Sequence, residues 1–164
     1  MAKPKCIPSK DYLHQIFEYK NGNLYWKIKP AQRVKIGDIA GSISDGYGQV
    51  YLNNSPYKIH RIIFMMHYEC VPDQIDHIDG NPLNNKIENL REVTNTQNQF
   101  NRKISSRNTT GVKGVSLSKS NKFVVRISTN QKDKYFGSFD NLELAELVAQ
   151  EAREKYHGEF ARHF

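Results

Sequence analysis

An Asp-His pair at residues 76 and 77, followed by a turn and spaced asparagines, has the side-chain types of a phosphodiester-cleaving site. Hydrolysis of a phosphodiester near neutral pH needs a base that generates the attacking hydroxide and a hard cation that neutralises charge on the phosphate. His77 suits the first task, since histidine is the side chain that ordinarily titrates near neutrality. Asp76 and Asn98 offer oxygen ligands, which suit magnesium or manganese better than a soft metal.

The order of the pair along the chain constrains this chemistry. Asp76 immediately precedes His77, so on an extended strand the two side chains point to opposite faces. The strand must therefore bend between them, or the metal ion and the attacking water must lie on different sides of the phosphate. Asp79, Gly80 and Asn81 provide turn-forming residues directly afterwards.

Asn98 lies in a polar segment that predicts a short helix. Thr94 or Asn95 would cap its start, and the pair Ser105 and Ser106 would end it. Each feature alone is weak, because an Asp-His pair is usually a turn with a surface histidine and asparagines often only form turns and caps. Their joint occurrence favours a nuclease site.

The composition favours a polyanionic partner. The 164 residues carry a formal net charge of +7, with a pI near 9.4, and are enough for one ordinary domain or two small ones. No apolar run approaches the roughly 20 residues of a membrane span, and the N-terminus lacks a signal-peptide core, so a cytoplasmic protein is expected. Cys6 and Cys70 form no Cys-x-x-Cys pair, which disfavours a zinc knuckle and a disulfide framework.

The N-terminal part predicts a helix over residues 11–20, a turn at residues 21–23 and a strand over residues 24–28. Gly and Asp between alternating apolar residues then predict β-hairpins in a small antiparallel sheet within residues 35–60. Aromatic side chains in this region could stack on nucleic acid, but packing within the sheet is the favoured use; they are Tyr25, Trp26, Tyr47, Tyr51 and Tyr57.

Residues 60–68 predict an amphipathic helix that supports the site. His60 and His67 share one face of it, and we interpret both as scaffold histidines rather than as second catalytic groups. Arg61 is a candidate phosphate contact.

Residues 55–104 resemble the HNH endonucleases of the ββα-metal, or His-Me finger, type, in particular the homing endonucleases of phages and introns. The motif letters fall on His77, Asn89 and Asn98, with Asp76 before the first. The resemblance implies that His77 is the general base and that Asn89 braces the loop that positions it. It also implies that Asp76 and Asn98 hold one divalent metal ion. Asparagine stands last where many relatives have histidine, which favours Mg²⁺ or Mn²⁺ over zinc.

A polar segment at residues 105–111 predicts a linker between a nuclease domain, residues 1–104 with its core motif at 60–104, and a second domain, residues 112–164. The fold class expected for the whole chain is α+β.

The second domain predicts a three-stranded antiparallel sheet with one helix packed across its back. The strands are expected at residues 112–117, 122–128 and 134–136. The helix would begin at an Asp140 or Asn141 cap and end before Gly158. Its predicted apolar stripe consists of Leu144, Ala145, Val148, Ala149, Ala152 and Tyr156.

Residues 108–162 resemble the DNA-binding domain of plant ethylene-response factors (ERF/APETALA type), which also occurs attached to phage HNH nucleases. The matching segments are GVKGVS, NKFVVRI, KYFGSF, the Ala-rich helix and YHGEFA. In that family the exposed sheet face enters the DNA major groove, which implies DNA contacts at Lys113, Ser116, Ser118, Lys119, Lys122, Arg126, Ser128 and Tyr135. Serines such as Ser120, and Asp133, replace Arg or Trp of the plant proteins, so fewer bidentate contacts to guanine are expected. A merely solvated sheet face is the alternative.

Together these features predict a metal-dependent DNA endonuclease of the homing type, targeted by its C-terminal domain. Its partner would be double-stranded DNA, and we expect a monomer without a protein partner, acting in the cytoplasm of a phage's bacterial host. One alternative is a DNA-binding regulator whose nuclease domain is a silent scaffold, which the intact Asp76, His77 and Asn98 disfavour. Another is a nuclease with little sequence preference.

Overall fold

The computed structural model describes residues 7–129 and 132–163, so Cys6 lies outside the described residues. The elements are α1 (Lys10–Ile16), β1 (Phe17–Lys20), β2 (Asn23–Trp26), β3 (Ser42–Ser44), β4 (Tyr47–Leu52), β5 (Ser55–Lys58), α2 (Ile59–Tyr68), β6 (Ile75–His77), β7 (Leu90–Glu92), α3 (Asn95–Phe100), β8 (Val115–Leu117), β9 (Phe123–Ser128), β10 (Asp133–Phe139) and α4 (Leu142–His157). The strands pair in small antiparallel sheets, which confirms the predicted α+β fold. Across the described ranges, no helix combines the length and apolarity that a membrane span requires.

The chain divides into two compact units, Met1–Val93 and Thr94–Phe164. The division falls before α3, whereas the sequence predicts a linker at residues 105–111. That segment is a hydrogen-bonded loop of the second unit, in which Asn108 Nδ2 donates to the carbonyl oxygens of Val112 and Val115, at 2.9 Å each. The limits of the functional domains stay a prediction.

Residues 17–20 form strand β1 and not the end of the predicted helix. The Ser9 hydroxyl caps α1 by accepting a hydrogen bond from the Tyr12 amide, and the helix stops at Ile16. Asn21 and Gly22 have φ values of 48° and 85°, the left-handed pair of a two-residue hairpin turn. The prediction of a helix over residues 17–20 was wrong because this turn lets these four residues pair with β2 as a hairpin.

Helix α2 lies at the centre of the first unit's core. Ile62 and Ile63 are fully buried, and they pack with apolar residues of α1 and of the sheets. Burying such a side chain stabilises the fold by roughly 1.5–3 kcal/mol. Trp26 packs on Phe17 with ring centroids 4.7 Å apart, as expected for packing within the sheet. The core therefore fixes α2, which carries His60 on its buried side.

Strands β6 and β7 form the two-stranded ladder that carries the Asp-His pair. Their register opposes Asp76 to Arg91 and His77 to Leu90. β6 continues through both Asp76 and His77, so no bend separates them. The turn begins after His77, where the Gly80 amide donates to the His77 carbonyl oxygen at 2.8 Å.

Helix α3 begins at the Thr94 cap and ends earlier than predicted. The Thr94 hydroxyl accepts a hydrogen bond from the Gln97 amide, and the Gln97 side chain accepts one from the Thr94 amide. This reciprocal capping box selects Thr94 over Asn95 as the cap. The helix stops at Phe100, before the expected end at Ser105 and Ser106.

The second unit is a three-stranded sheet, in the order β10-β9-β8, with α4 packed against it. The side chain of Asn141, one of the two predicted caps, accepts hydrogen bonds from the first turn of α4. The buried stripe consists of Ala145, Ala149, Ala152, Arg153 and His157. Leu144 was wrongly placed in it: this side chain is 50% exposed, because the buried stripe extends from the alanines toward Arg153 and His157, and Leu144 lies on the opposite side of the alanines.

We predict that Gly41→Ala is more destabilising than Gly46→Ala. Both glycines have positive φ, 93° and 76°, which costs about 1–2 kcal/mol for a residue with a side chain. A Cβ at Gly41 would lie 2.4 Å from the backbone oxygen of Gln49, whereas none of the described atoms lies within 4 Å of a Cβ at Gly46. The clash should add roughly 1–3 kcal/mol to the loss at Gly41, measured by urea unfolding of both variants. Equal losses would show that Gly41 is not tightly packed.

Candidate functional site

A buried hydrogen bond orients the imidazole of His77. Its Nε2 lies 2.9 Å from Oδ1 of Asn85, and the two residues are 6% and 5% exposed. An amide oxygen only accepts hydrogen bonds, so Nε2 carries the proton and the lone pair resides on Nδ1. Nδ1 is therefore the nitrogen that can act as a base. Sequence reasoning treated Asn85 as one more turn asparagine, because its contact with His77 depends on how the loop folds.

The His60 ring packs edge-on beside the His77 ring. The ring centroids lie 5.2 Å apart at an interplanar angle of 80°, and Tyr47 contacts both rings. The Nδ1 atom of His60 is buried and has no hydrogen-bond partner within the described part of the chain. Burial, and then electrostatic repulsion between a protonated His60 and His77, Arg61 and Lys58, lowers the pKa of His60 from 6.5 to about 3. His60 is thus a neutral, packed ring at neutral pH, in line with its interpretation as scaffold.

Asp76 is held by an arginine on the neighbouring strand. Its Oδ2 accepts hydrogen bonds from Nε and Nη2 of Arg91, at 3.2 and 3.0 Å. The two side chains are 9% and 15% exposed, so this is a nearly buried ion pair. A cation at Asp76 would share the carboxylate with the guanidinium. Arg91 could have been found from the sequence only through the β6–β7 register, which places it directly opposite Asp76.

Asn89 ties the loop after His77 to itself. Its Oδ1 accepts from the Asp79 amide at 3.0 Å, and its Nδ2 donates to Asp79 Oδ1 at 3.0 Å and to the Asn84 carbonyl oxygen at 2.7 Å. Burial raises the pKa of Asp79, but hydrogen bonds from Asn81, Asn84 and Asn89 outweigh it and leave the pKa below its usual range. Asn89 thus contacts the loop that the resemblance expected it to brace.

The β1–β2 hairpin supports the other end of this loop. The Tyr19 hydroxyl oxygen accepts a hydrogen bond from the Ile87 amide at 3.0 Å. A Cβ at Gly22 would lie 2.9 Å from the Lys86 nitrogen, so glycine allows the turn to approach the loop closely. The hairpin thereby contacts the segment that follows Asn85.

The predicted metal ligands lie in different units. Asp76 belongs to the first unit, and half-buried Asn98 lies on α3 in the second. In the described ranges no three or more His, Cys, Asp or Glu side chains cluster as metal ligands. Carboxylate and amide oxygens are the donor types that a hard cation such as Mg²⁺ prefers, and such an ion keeps several waters.

Several predicted DNA contacts share one face of the second sheet. Tyr135 pairs with Arg126, and Ser116 and Ser128 project to the same side. Tyr135 is 61% exposed, and the Arg126 guanidinium lies 6.0 Å from its ring centroid. The opposite side of β9 is buried against α4.

The remaining predicted contacts lie elsewhere. Ser118, Lys119 and Lys122 lie at the β8–β9 turn, and Lys122 forms an ion pair with Asp140 at 3.1 Å. Arg61 donates to the Asp73 carbonyl oxygen at 3.3 Å. The Lys113 ammonium departs most from expectation, since it donates to the carbonyl oxygens of Phe100 and Arg102, at 2.7 and 2.6 Å.

We predict that acid destabilises the protein through His60. The pKa of His60 is about 3 in the folded protein and near 6.5 in the unfolded chain, so the unfolded chain binds more protons between these values. The free energy of unfolding should therefore fall as pH drops from about 6.5 to about 3, by on the order of 4 kcal/mol from this residue. His60→Leu should flatten that pH dependence in urea titrations. An unchanged slope would contradict the assignment.

Comparisons with known proteins give a family for the segment that contains His77 and Asn89. Residues 57–100 match the HNH endonuclease family. The chain is 42% identical over 89 residues to Protein 3.8 of Escherichia phage T7, across 54% of this chain and 73% of that protein. It is 36% identical over 107 residues to the uncharacterized HNH endonuclease L560 of Acanthamoeba polyphaga mimivirus, across 63% of this chain and 55% of that protein. No solved structure matches the chain significantly.

These matches confirm the predicted HNH domain, and nucleases of this kind generally use a divalent metal ion. The ERF/APETALA character of residues 112–164 stays a prediction. The chain therefore belongs to the same family as Protein 3.8 of Escherichia phage T7 and carries an HNH endonuclease domain at residues 57–100.

Proposed function

We propose that the protein is a metal-dependent endonuclease of the homing type that hydrolyses double-stranded DNA. The observation that carries the proposal is the buried His77 imidazole, held through Nε2 by Asn85 within the segment that matches HNH endonucleases. A catalytically inactive scaffold domain would not require a histidine whose tautomer is fixed by a buried hydrogen bond. The net charge of +7 supports a polyanionic substrate.

His77 Nδ1 acts as the general base in this proposal. It takes a proton from the water that attacks phosphorus, and the hydrogen bond from Nε2 to Asn85 Oδ1 strengthens as the ring becomes charged. The edge of His60 and the Tyr47 ring limit the movement of His77. Asn89 keeps the loop that carries Asn85 in register.

Asp76 and Asn98 would hold one Mg²⁺ or Mn²⁺ ion. When bound, the ion supplies charge neutralisation at the scissile phosphate and the departing oxygen. Arg91 keeps the Asp76 carboxylate oriented, and its guanidinium adds positive charge at that position. Because β6 is extended, the metal ligand Asp76 and the base His77 would project to different faces of the strand.

The exposed sheet face of the second unit would bind the target DNA. Arg126 and Tyr135 at its centre can contact base edges and sugars, and Lys119 and Lys122 at the β8–β9 turn can contact phosphates. Arg61 would contact a phosphate near the first unit's site. The proposed location of the protein is the cytoplasm of the bacterial host.

The test compares cleavage of a phage-genome DNA panel by the wild type, His77→Ala and Asp76→Ala in the presence of Mg²⁺. His77→Ala should slow cleavage by about 10²–10⁴-fold, because the base is lost, while DNA binding is retained. Asp76→Ala should require much more Mg²⁺, because a carboxylate ligand is lost. His14→Ala is the matched histidine control, since His14 is exposed and its Nε2 lies 3.0 Å from the Met66 carbonyl oxygen at the end of α2, and it should cut normally.

Equal cleavage by the wild type and His77→Ala would refute the assignment of the base. A wild-type protein that binds a specific sequence but cuts no DNA with Mg²⁺ or Mn²⁺ would instead support the regulator alternative. Comparable binding to every sequence, with a steep loss of affinity in salt, would support a nuclease with little sequence preference.

A further inference from the structure

We propose that Lys113 is a positioning residue for the helix that carries Asn98, so that the second unit holds a metal ligand in place as well as binding DNA. The inference rests on the proposed function, because it takes Asn98 as a ligand. It assigns Lys113 a role different from the DNA contact implied by the sequence resemblance.

Helix α3 needs an external anchor. It has six residues, from Asn95 to Phe100, and a helix this short is unstable in water on its own. The Thr94 capping box satisfies its N-terminal amides. Its C-terminal carbonyl groups have no partners within an ideal helix and must be satisfied from outside.

Lys113 supplies that anchor at the C-terminal end of α3. Its ammonium donates to the carbonyl oxygens of Phe100 and Arg102 at 2.7 and 2.6 Å, distances typical of charge-assisted hydrogen bonds. A cation at this end also interacts favourably with the helix dipole. With two of its donors committed to the backbone, Lys113 is poorly suited to grip a phosphate.

A ring stack adds a second point of attachment. Phe100, 6% exposed, stacks on the His157 ring with centroids 3.8 Å apart and planes inclined by 6°. His157 is itself fixed by the hydrogen bond between its Nε2 and the Ser128 carbonyl oxygen, at 2.7 Å. The last residue of α3 thereby contacts α4 directly and is linked through His157 to the end of β9.

The electrostatic surroundings show that the position of Lys113 is costly. Burial, and then the positive charges of Arg153 and Arg162, lowers the pKa of Lys113 to about 8. The Lys113 carbonyl oxygen in turn accepts a hydrogen bond from Arg153 Nη1. The Lys113 ammonium lies among like charges, and its hydrogen bonds to the carbonyl oxygens of Phe100, at the end of α3, and Arg102, just after it, hold it there.

The experiment uses the full chain and compares Lys113→Met with Lys119→Met. Methionine fills a similar volume but cannot donate, whereas Lys119 is an exposed lysine of the β8–β9 turn. Lys113→Met should raise the Mg²⁺ concentration for half-maximal cleavage by about tenfold, with DNA affinity within about twofold of the wild type. Lys119→Met should weaken DNA binding and leave the Mg²⁺ midpoint unchanged. Amide hydrogen exchange at residues 99–102 should speed up only in Lys113→Met.

An unchanged Mg²⁺ midpoint and unchanged exchange in Lys113→Met, with DNA affinity reduced as in Lys119→Met, would overturn the inference and make Lys113 a phosphate contact. A wild-type protein that cleaves no DNA would be a failure of the proposed function instead. In that case faster exchange in Lys113→Met would still support the anchoring of α3, and unchanged exchange would overturn it.

Discussion

The buried hydrogen bond between His77 Nε2 and Asn85 Oδ1 is the interaction on which the candidate site depends. It decides which ring nitrogen holds the lone pair, and the surrounding structure keeps both of its ends in place. The β6–β7 ladder fixes the backbone of His77, while Asn89 and the Tyr19 hydroxyl fix the loop that carries Asn85. The core around α2 places the His60 ring against the imidazole of His77.

Buried polar atoms without hydrogen-bond partners lie near the proposed base, His77, and near the proposed positioning residue, Lys113. In the described ranges these atoms are His60 Nδ1, Arg153 Nε and His157 Nδ1. Such atoms destabilise a fold by roughly 1–3 kcal/mol each, so their presence beside His77 and beside Lys113 needs an explanation. Natural proteins break local rules of this kind mainly at functional sites. The His60 ring is retained beside the base, and the other two atoms belong to the cluster that holds Lys113 and α3.

Features that depend on short stretches of chain could be predicted from the sequence. The Asp-His pair, the turn that follows it and the cap at Asn141 all follow from residue types at fixed spacing. Features that depend on which strands or helices meet could not be predicted. The pairing of Arg91 with Asp76 requires the β6–β7 register, and the contact of Asn85 with His77 requires the folded loop.

The hairpin over residues 17–26 and the hydrogen bonds of Lys113 also depend on which elements meet, so they could not be predicted from the sequence. A helical pattern that ends in Asn-Gly can stop before the turn or at it, and only pairing with β2 decides the outcome. Lys113 lies in a motif that implies an exposed contact with DNA. In the structure its ammonium instead donates a hydrogen bond to the Phe100 carbonyl oxygen at the C-terminal end of α3. Long, flexible lysine side chains select their partner in three dimensions, so sequence position alone does not fix their role.

The most direct measurement of the central claim is the tautomer of His77, read from long-range ¹H–¹⁵N correlations of its imidazole ring at alkaline pH. The account predicts that Nε2 carries the proton and that Nδ1 has the shift of an unprotonated nitrogen, with this preference weakened in Asn85→Leu. A proton on Nδ1 in the wild-type protein, or a tautomer unaffected by Asn85→Leu, would contradict it.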